Sequence, residues 1–177
     1  MPTSEHFWTT VKKYIGPGNK VLEMYHGERD DVLRGLAKIV GGHGIVYGVD
    51  RYNPFEKIQH MKDLQNLPQV KLLNFLIPPL PSEVSALDAI IIREFIFTYP
   101  PPYNGIENPE TYRAIDAAIK FQGHLIIHLN PTEQKNEQGK NSIYHGTIRR
   151  QLPAFEKMYD NEDALVYQKT GSETPPL

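Results

Sequence analysis

KVLEMYHGERDDVLRGLAKIVGGHGIVYGVD, residues 20–50, holds a complete folding unit. Lys20–Tyr25 is short and mostly apolar, and the turn formers Gly16-Pro17-Gly18-Asn19 precede it, so it reads as a buried strand. Asp30 and Asp31 follow where a helix start favours acidic side chains, and Val32, Leu33, Leu36, Ala37 and Val40 then recur at helical spacing. Gly41-Gly42 end that helix, and Ile45–Asp50 is a second apolar run that closes on a carboxylate. Strand, turn, helix and strand within about thirty residues form one βαβ unit. The ligand crevice of such a unit lies at the carboxyl ends of its strands, where Tyr25–Arg29 and Asp50–Arg51 fall.

Upstream, Ser4 is placed to cap a helix with Phe7, Trp8, Val11, Tyr14 and Ile15 along one apolar stripe. Downstream, Asn53-Pro54 opens a helix that buries Phe55, Ile58, Met61 and Leu64, and Val70–Leu76 reads as a third strand. Leu87–Arg93 (LDAIIIR) is continuously apolar at its centre, the pattern of a strand covered on both faces. Pro109–Phe121 reads as a helix stopped by Gly123, and Leu125–Leu129 as a fifth strand. Asn130–Gly146 is long and polar, as a lid or binding loop would be. Thr147–Tyr159 reads as a helix kinked or begun by Pro153, and Ala164–Lys169 as the last strand. Residues 1–170 are therefore expected to form one α/β domain with a mostly parallel sheet, and 171–177 a flexible tail.

Composition narrows the function classes. The chain has 177 residues, 40% of them hydrophobic and 23% charged, values ordinary for a soluble globular domain. A formal net charge of −2 gives no global attraction to nucleic acid or anionic lipid. Cysteine is absent, which removes thiolate nucleophiles and cysteine-ligated metals and accords with the expected cytoplasmic location. No apolar run approaches the ~20 residues that span a bilayer, so no membrane partner is expected. His124 and His128 lie four residues apart on a strand, about 13 Å, too far to share a metal.

A leading helix, then VLEMYHGER, VYGVD, LDAIIIRE and a helix running into GHLIIHLN together resemble the class I S-adenosylmethionine-dependent methyltransferases. The resemblance covers roughly residues 3–130, with Ala164–Lys169 matching that family's late antiparallel strand. It implies a Rossmann-like fold with helices on both faces of the sheet, S-adenosylmethionine as cofactor and methyl transfer to a small or medium acceptor. Glu23 falls on the family's acidic position at the end of the first strand, and Gly27 on the middle glycine of the turn that follows. Asp50 falls on the carboxylate that accepts hydrogen bonds from the ribose hydroxyls, with Arg51 beside it. Tyr25 and Arg29 stand where the family has glycines, and Leu76 stands near the place of its adenine-contacting acid.

The expected cofactor-binding residues are thus Glu23, Tyr25, Gly27, Asp50 and Arg51, and the expected acceptor contacts are Glu94, Tyr103 and His128. Tyr99–Tyr103 (YPPPY) is similar to the family's amine-methylating Asn/Asp-Pro-Pro-Tyr motif, but it lacks the leading Asn or Asp and reads better as a rigid loop. Two functions compete: methyl transfer, and a binding or regulatory protein that keeps the fold without turnover. Nicotinamide chemistry requires a Gly-x-Gly-x-x-Gly turn against the pyrophosphate, which Tyr25–Asp30 does not supply. Neither the acceptor nor the oligomeric state is legible in the sequence.

Overall fold

The structure is a computed structural model that describes residues 3–24, 30–50, 63–64, 66–74, 80–93, 109–129, 140–161 and 163–171. Helix α1 (Glu5–Tyr14) starts at Ser4, whose hydroxyl accepts a hydrogen bond from the Phe7 amide at 3.0 Å. Strand β1 (Lys20–Met24), helix α2 (Asp31–Val40) and strand β2 (Ile45–Asp50) build the anticipated unit. α2 ends at Gly41, whose φ of 64° is the left-handed conformation that glycine adopts without strain. Strands β3 (Val70–Asn74), β4 (Leu87–Arg93), β5 (Ile119–His128), β6 (Phe155–Asp160) and β7 (Ala164–Lys169) follow, with α3 (Pro109–Ala118) and α4 (Lys140–Gln151) between them.

Among the described residues the strands form one seven-stranded sheet in the order β3-β2-β1-β4-β5-β7-β6. The first five are parallel, and β7 runs antiparallel to β5. β1 sits between β2 and β4, with Glu23 opposite Gly48 on one side and Ile91 on the other. Alternate strand residues feed two cores. One core joins Leu22, Ile90, Leu125 and Leu165 with Tyr112 and Ile115 of α3 and Ile148 of α4. The other joins Val21, Ile91, Ile126 and Val166 with Phe7 and Val11 of α1 and Leu33 and Leu36 of α2. Helices therefore cover both faces, as near-continuous apolar strands require.

Three readings need correction. The expected helix over Thr147–Tyr159 is divided: α4 occupies Lys140–Gln151, Pro153 lies in the turn after it, and Phe155–Asp160 is strand β6 paired antiparallel with β7. The late antiparallel element is accordingly a two-stranded hairpin. The long polar loop is shorter than expected, because Lys140–Gly146 belongs to α4; 130–139 lie outside the described residues. The helix read to Phe121 ends at Ala118, since Ile119 already pairs with Leu87 of β4. The backbone then kinks at Gln122 (φ 63°), and Gly123 fits because a Cβ there would lie 2.7 Å from Ile119 Cγ2 and 2.9 Å from the Leu87 carbonyl oxygen. Of the third strand read to Leu76, β3 is described as far as Asn74, and 75–76 lie outside the described residues. Of the helix expected after Asn53-Pro54, only residues 63 and 64 are described, and both are helical.

Candidate functional site

The carboxyl ends of β1, β2, β4 and β5 lie along one rim of the sheet, and the candidate residues collect there. Glu23 is fully buried in β1, an ionisable side chain removed from water in the middle of an apolar sheet. Its alternation with Val21 places it on the face covered by α1 and α2. Asp50 is the last residue of β2, two positions beyond the Gly48 that faces Glu23, so the two α-carbons are about 8 Å apart by strand geometry. The β1–α2 turn that separates these strand ends in sequence lies outside the described residues, and with it Tyr25 and Gly27. Arg51, Glu94, Tyr103 and the Tyr99–Tyr103 run lie outside them as well.

His128 is the last residue of β5 and pairs in register with Arg93 of β4. Its ring packs on Phe7 of α1, with centroids 4.0 Å apart and planes inclined by 34°. Since Ile126 stands level with Ile91, and Ile91 with Glu23, His128 is two strands across from Glu23 and two residues nearer the rim. That separation is about 12 Å between α-carbons. The sheet therefore gathers Glu23, Asp50 and His128 on one rim, in two groups: a β1/β2 pair of carboxylates and a β5 imidazole.

The start of α2 is tied to the start of α1. Asp31 accepts hydrogen bonds from the Thr3 amide at 3.2 Å and from the Thr3 hydroxyl. Asp30 forms an ion pair with Arg34 one turn along the helix instead of capping it. Trp8 of α1 lies over Gly35 of α2, so closely that a side chain at that position would enter the indole ring. These contacts fix the helix that begins just after the expected cofactor turn.

His124 lies further from the rim, midway along β5, where its ring lies 4.9 Å from that of Tyr14. Burial lowers its pKa, and the nearby Asp88 carboxylate opposes the shift without cancelling it. Among the described residues no group of His, Asp and Glu is arranged to hold a metal ion, and no helix is long and apolar enough to cross a membrane. One rim residue was missed in the sequence: Asp163, buried in the β6–β7 turn beside the end of β5. Its only signal was an acid just before a strand, and reading Thr147–Tyr159 as helix concealed the hairpin that places it there.

No protein-family model matches the sequence, and a search of the curated proteins finds no match. Solved structures do match. A SAM-dependent methyltransferase from Aquifex aeolicus superposes with a TM-score of 0.70 at 16% identity, over 93% of this chain and 89% of that one. A SAM-dependent O-methyltransferase from Thermotoga maritima gives 0.64 at 14% identity, over 99% of this chain and 69% of that one. The antibiotic-resistance methyltransferase Kmr gives 0.62 at 14% identity, over 93% and 92%. The parallel sheet with β1 between β2 and β4, its antiparallel β6–β7 hairpin and these likenesses together establish that the chain has the fold of the class I S-adenosylmethionine-dependent methyltransferases.

Proposed function

We propose that this protein transfers a methyl group from S-adenosylmethionine to a small acceptor. The observation that carries the reading is the fully buried Glu23 on β1, next to the strand that ends in Asp50. Burying a carboxylate in an apolar sheet is costly, and such residues are retained where they have a binding task. Two acids at adjacent strand ends suit a cofactor that presents ribose hydroxyls and positive charge, because carboxylates only accept hydrogen bonds when ionised. Bound there, the cofactor supplies an already activated methyl sulfonium. The chain's own work is then to hold it, align the acceptor and exclude water, so no nucleophile–base pair is needed. Asp50 would anchor the ribose, and Gly27 and Tyr25 would line the turn; Glu94, Tyr103 and His128 would border the acceptor.

The second reading is a binding or regulatory protein without turnover, and Tyr25 favours it. A tyrosine in place of the family's first glycine either turns outward and leaves the site open or fills it. Calorimetric titration with S-adenosylmethionine, S-adenosylhomocysteine and NAD separates the readings. The methyl-transfer proposal expects both sulfur nucleosides to bind and NAD not to. If S-adenosylmethionine binds only to Tyr25→Gly, the natural protein is a non-catalytic form of the fold.

A further inference from the structure

Helix α1 makes contact with both halves of the rim. In its first turn Phe7 is fully buried, and its ring packs on that of His128 at the end of β5. Just ahead of that turn, Thr3 reaches α2. Its amide, at 3.2 Å, and its hydroxyl both donate to Oδ2 of Asp31, the first residue of α2. The other contacts of α1 give this bond a firm base. Ser4 caps the helix by accepting from the Phe7 amide at 3.0 Å, and Val11 is fully buried in the core that holds Leu33 and Leu36. Trp8 lies over Gly35, one turn into α2.

The Thr3–Asp31 contact acts where the chain leaves the expected cofactor turn. The sheet fixes the upstream end of that turn, because Met24 pairs with Val49 on one side and Ile92 on the other. The downstream end is the first turn of α2, closed by the Arg34 amide on the Asp30 carbonyl at 2.9 Å and by the Asp30–Arg34 ion pair. Those two bonds are internal to the helix and do not locate it. Val32, Leu33 and Leu36 seat α2 in the core, but apolar burial is non-directional. Two donors converging on one carboxylate oxygen set both a distance and a direction. A binding residue must be held to within about 0.5 Å of its working position, so the anchoring of the helix start matters. Resting on the methyl-transfer reading, we propose that Thr3 is a positioning residue for the cofactor: through Asp31 it fixes where α2 starts, and with it the exit of the cofactor turn.

The test compares Thr3→Val, which keeps the side-chain shape and removes the hydroxyl donor, with Thr3→Ser, which keeps the donor. Amide hydrogen exchange at Arg34 is read first, in the free protein. Thr3→Val should speed it about fivefold or more, and Thr3→Ser should leave it as in wild type. Calorimetry with S-adenosylhomocysteine follows. The valine variant should bind about fivefold or more weakly and the serine variant like wild type, with both urea midpoints near that of wild type. Unchanged Arg34 exchange in Thr3→Val overturns the proposal whether or not the ligand binds. So does faster exchange with unchanged affinity, or an equal affinity loss in Thr3→Ser. An affinity loss matched by a fall in the urea midpoint also overturns it, because the contact is then only stabilising. Wild-type protein that fails to bind S-adenosylhomocysteine refutes the methyl-transfer reading and the cofactor role with it. Binding by wild type, followed by any of the other adverse results, refutes the assignment of Thr3 alone.

Discussion

The two ends of the sheet differ in how their charges are spent. At the amino end a set of charges pins one element to another. The Lys20 ammonium donates to the Glu83 and Ser85 carbonyls at 3.0 and 2.7 Å, its amide donates to Asp88 at 2.7 Å, and Asp88 also pairs with Lys120. Deeper, the buried Lys169 ammonium bonds the Asp116 carbonyl at 2.6 Å and the Ile119 carbonyl at 3.2 Å, and it pairs with the Asp116 carboxylate at 3.1 Å. One lysine thereby holds the end of α3 to β7. At the carboxyl rim, Glu23 is a buried acid on β1 and Asp163 a buried acid in the β6–β7 turn. The contrast sets a stabilising edge against the edge proposed to bind ligand, an arrangement familiar in parallel α/β sheets.

That contrast predicts opposite consequences for substitutions at the two ends. The largest effect belongs to Lys169→Ala, which takes the buried cation away from the Asp116 carboxylate and a donor away from two carbonyl groups. A stability loss of about 3–5 kcal/mol is expected in urea unfolding. Adding Asp116→Leu should recover only part of it, because the Asp116 and Ile119 carbonyls still lack their donor. Next comes Gly123→Ala, whose new methyl group would press on the Leu87 and Lys120 carbonyl oxygens at 2.9 Å. Its expected cost is about 2–3 kcal/mol, with S-adenosylhomocysteine affinity unaltered in the folded fraction. A shift of ligand affinity in either variant would blur the division between the edges.

At the rim the pattern reverses. Asp50→Asn should leave the urea midpoint close to wild type and weaken nucleoside binding by about 1–3 kcal/mol, the loss of a charged acceptor. Unchanged calorimetric affinity in that variant would move the ligand away from β2. The smallest effect concerns His124, midway along β5. Its folded pKa lies below the unfolded value of 6.5, chiefly through burial. The neutral ring is thus favoured in the native state, and its contribution is complete above pH 6.5 and lost as pH falls below it toward the folded pKa. Comparing wild type with His124→Gln by urea unfolding between pH 7.5 and 5 should show the wild type losing more stability on acidification. Partial exposure of the ring to water keeps the difference small.

Legibility in the sequence also differed between regions. β1, α2, β2 and β4 were readable because each is a self-contained periodic pattern with its own punctuation: Gly-Pro-Gly-Asn before β1, the two acids opening α2, and Gly41-Gly42 closing it. The apolar character of Lys20–Tyr25 and Leu87–Arg93 marked both as buried strands, and the fold places them side by side inside the sheet. β6 was misread because FEKMYD mixes charges with apolar residues, and an edge strand half exposed to water shows neither clean alternation nor a helical stripe. The early start of β5 was hidden for a related reason. Ile119 continues α3's apolar spacing, and its strand pairing with Leu87 depends on contact with a residue 32 positions earlier in the chain.

What the sequence determined by itself was local: which segments alternate, where they stop, and that acids close β1 and β2. The tertiary structure alone decided how those segments share an edge. Glu23, Asp50 and His128 are spread from position 23 to position 128, yet parallel pairing aligns the ends of their strands within a few strand spacings. Strand order is set by non-local burial of two apolar faces, which no window of sequence contains.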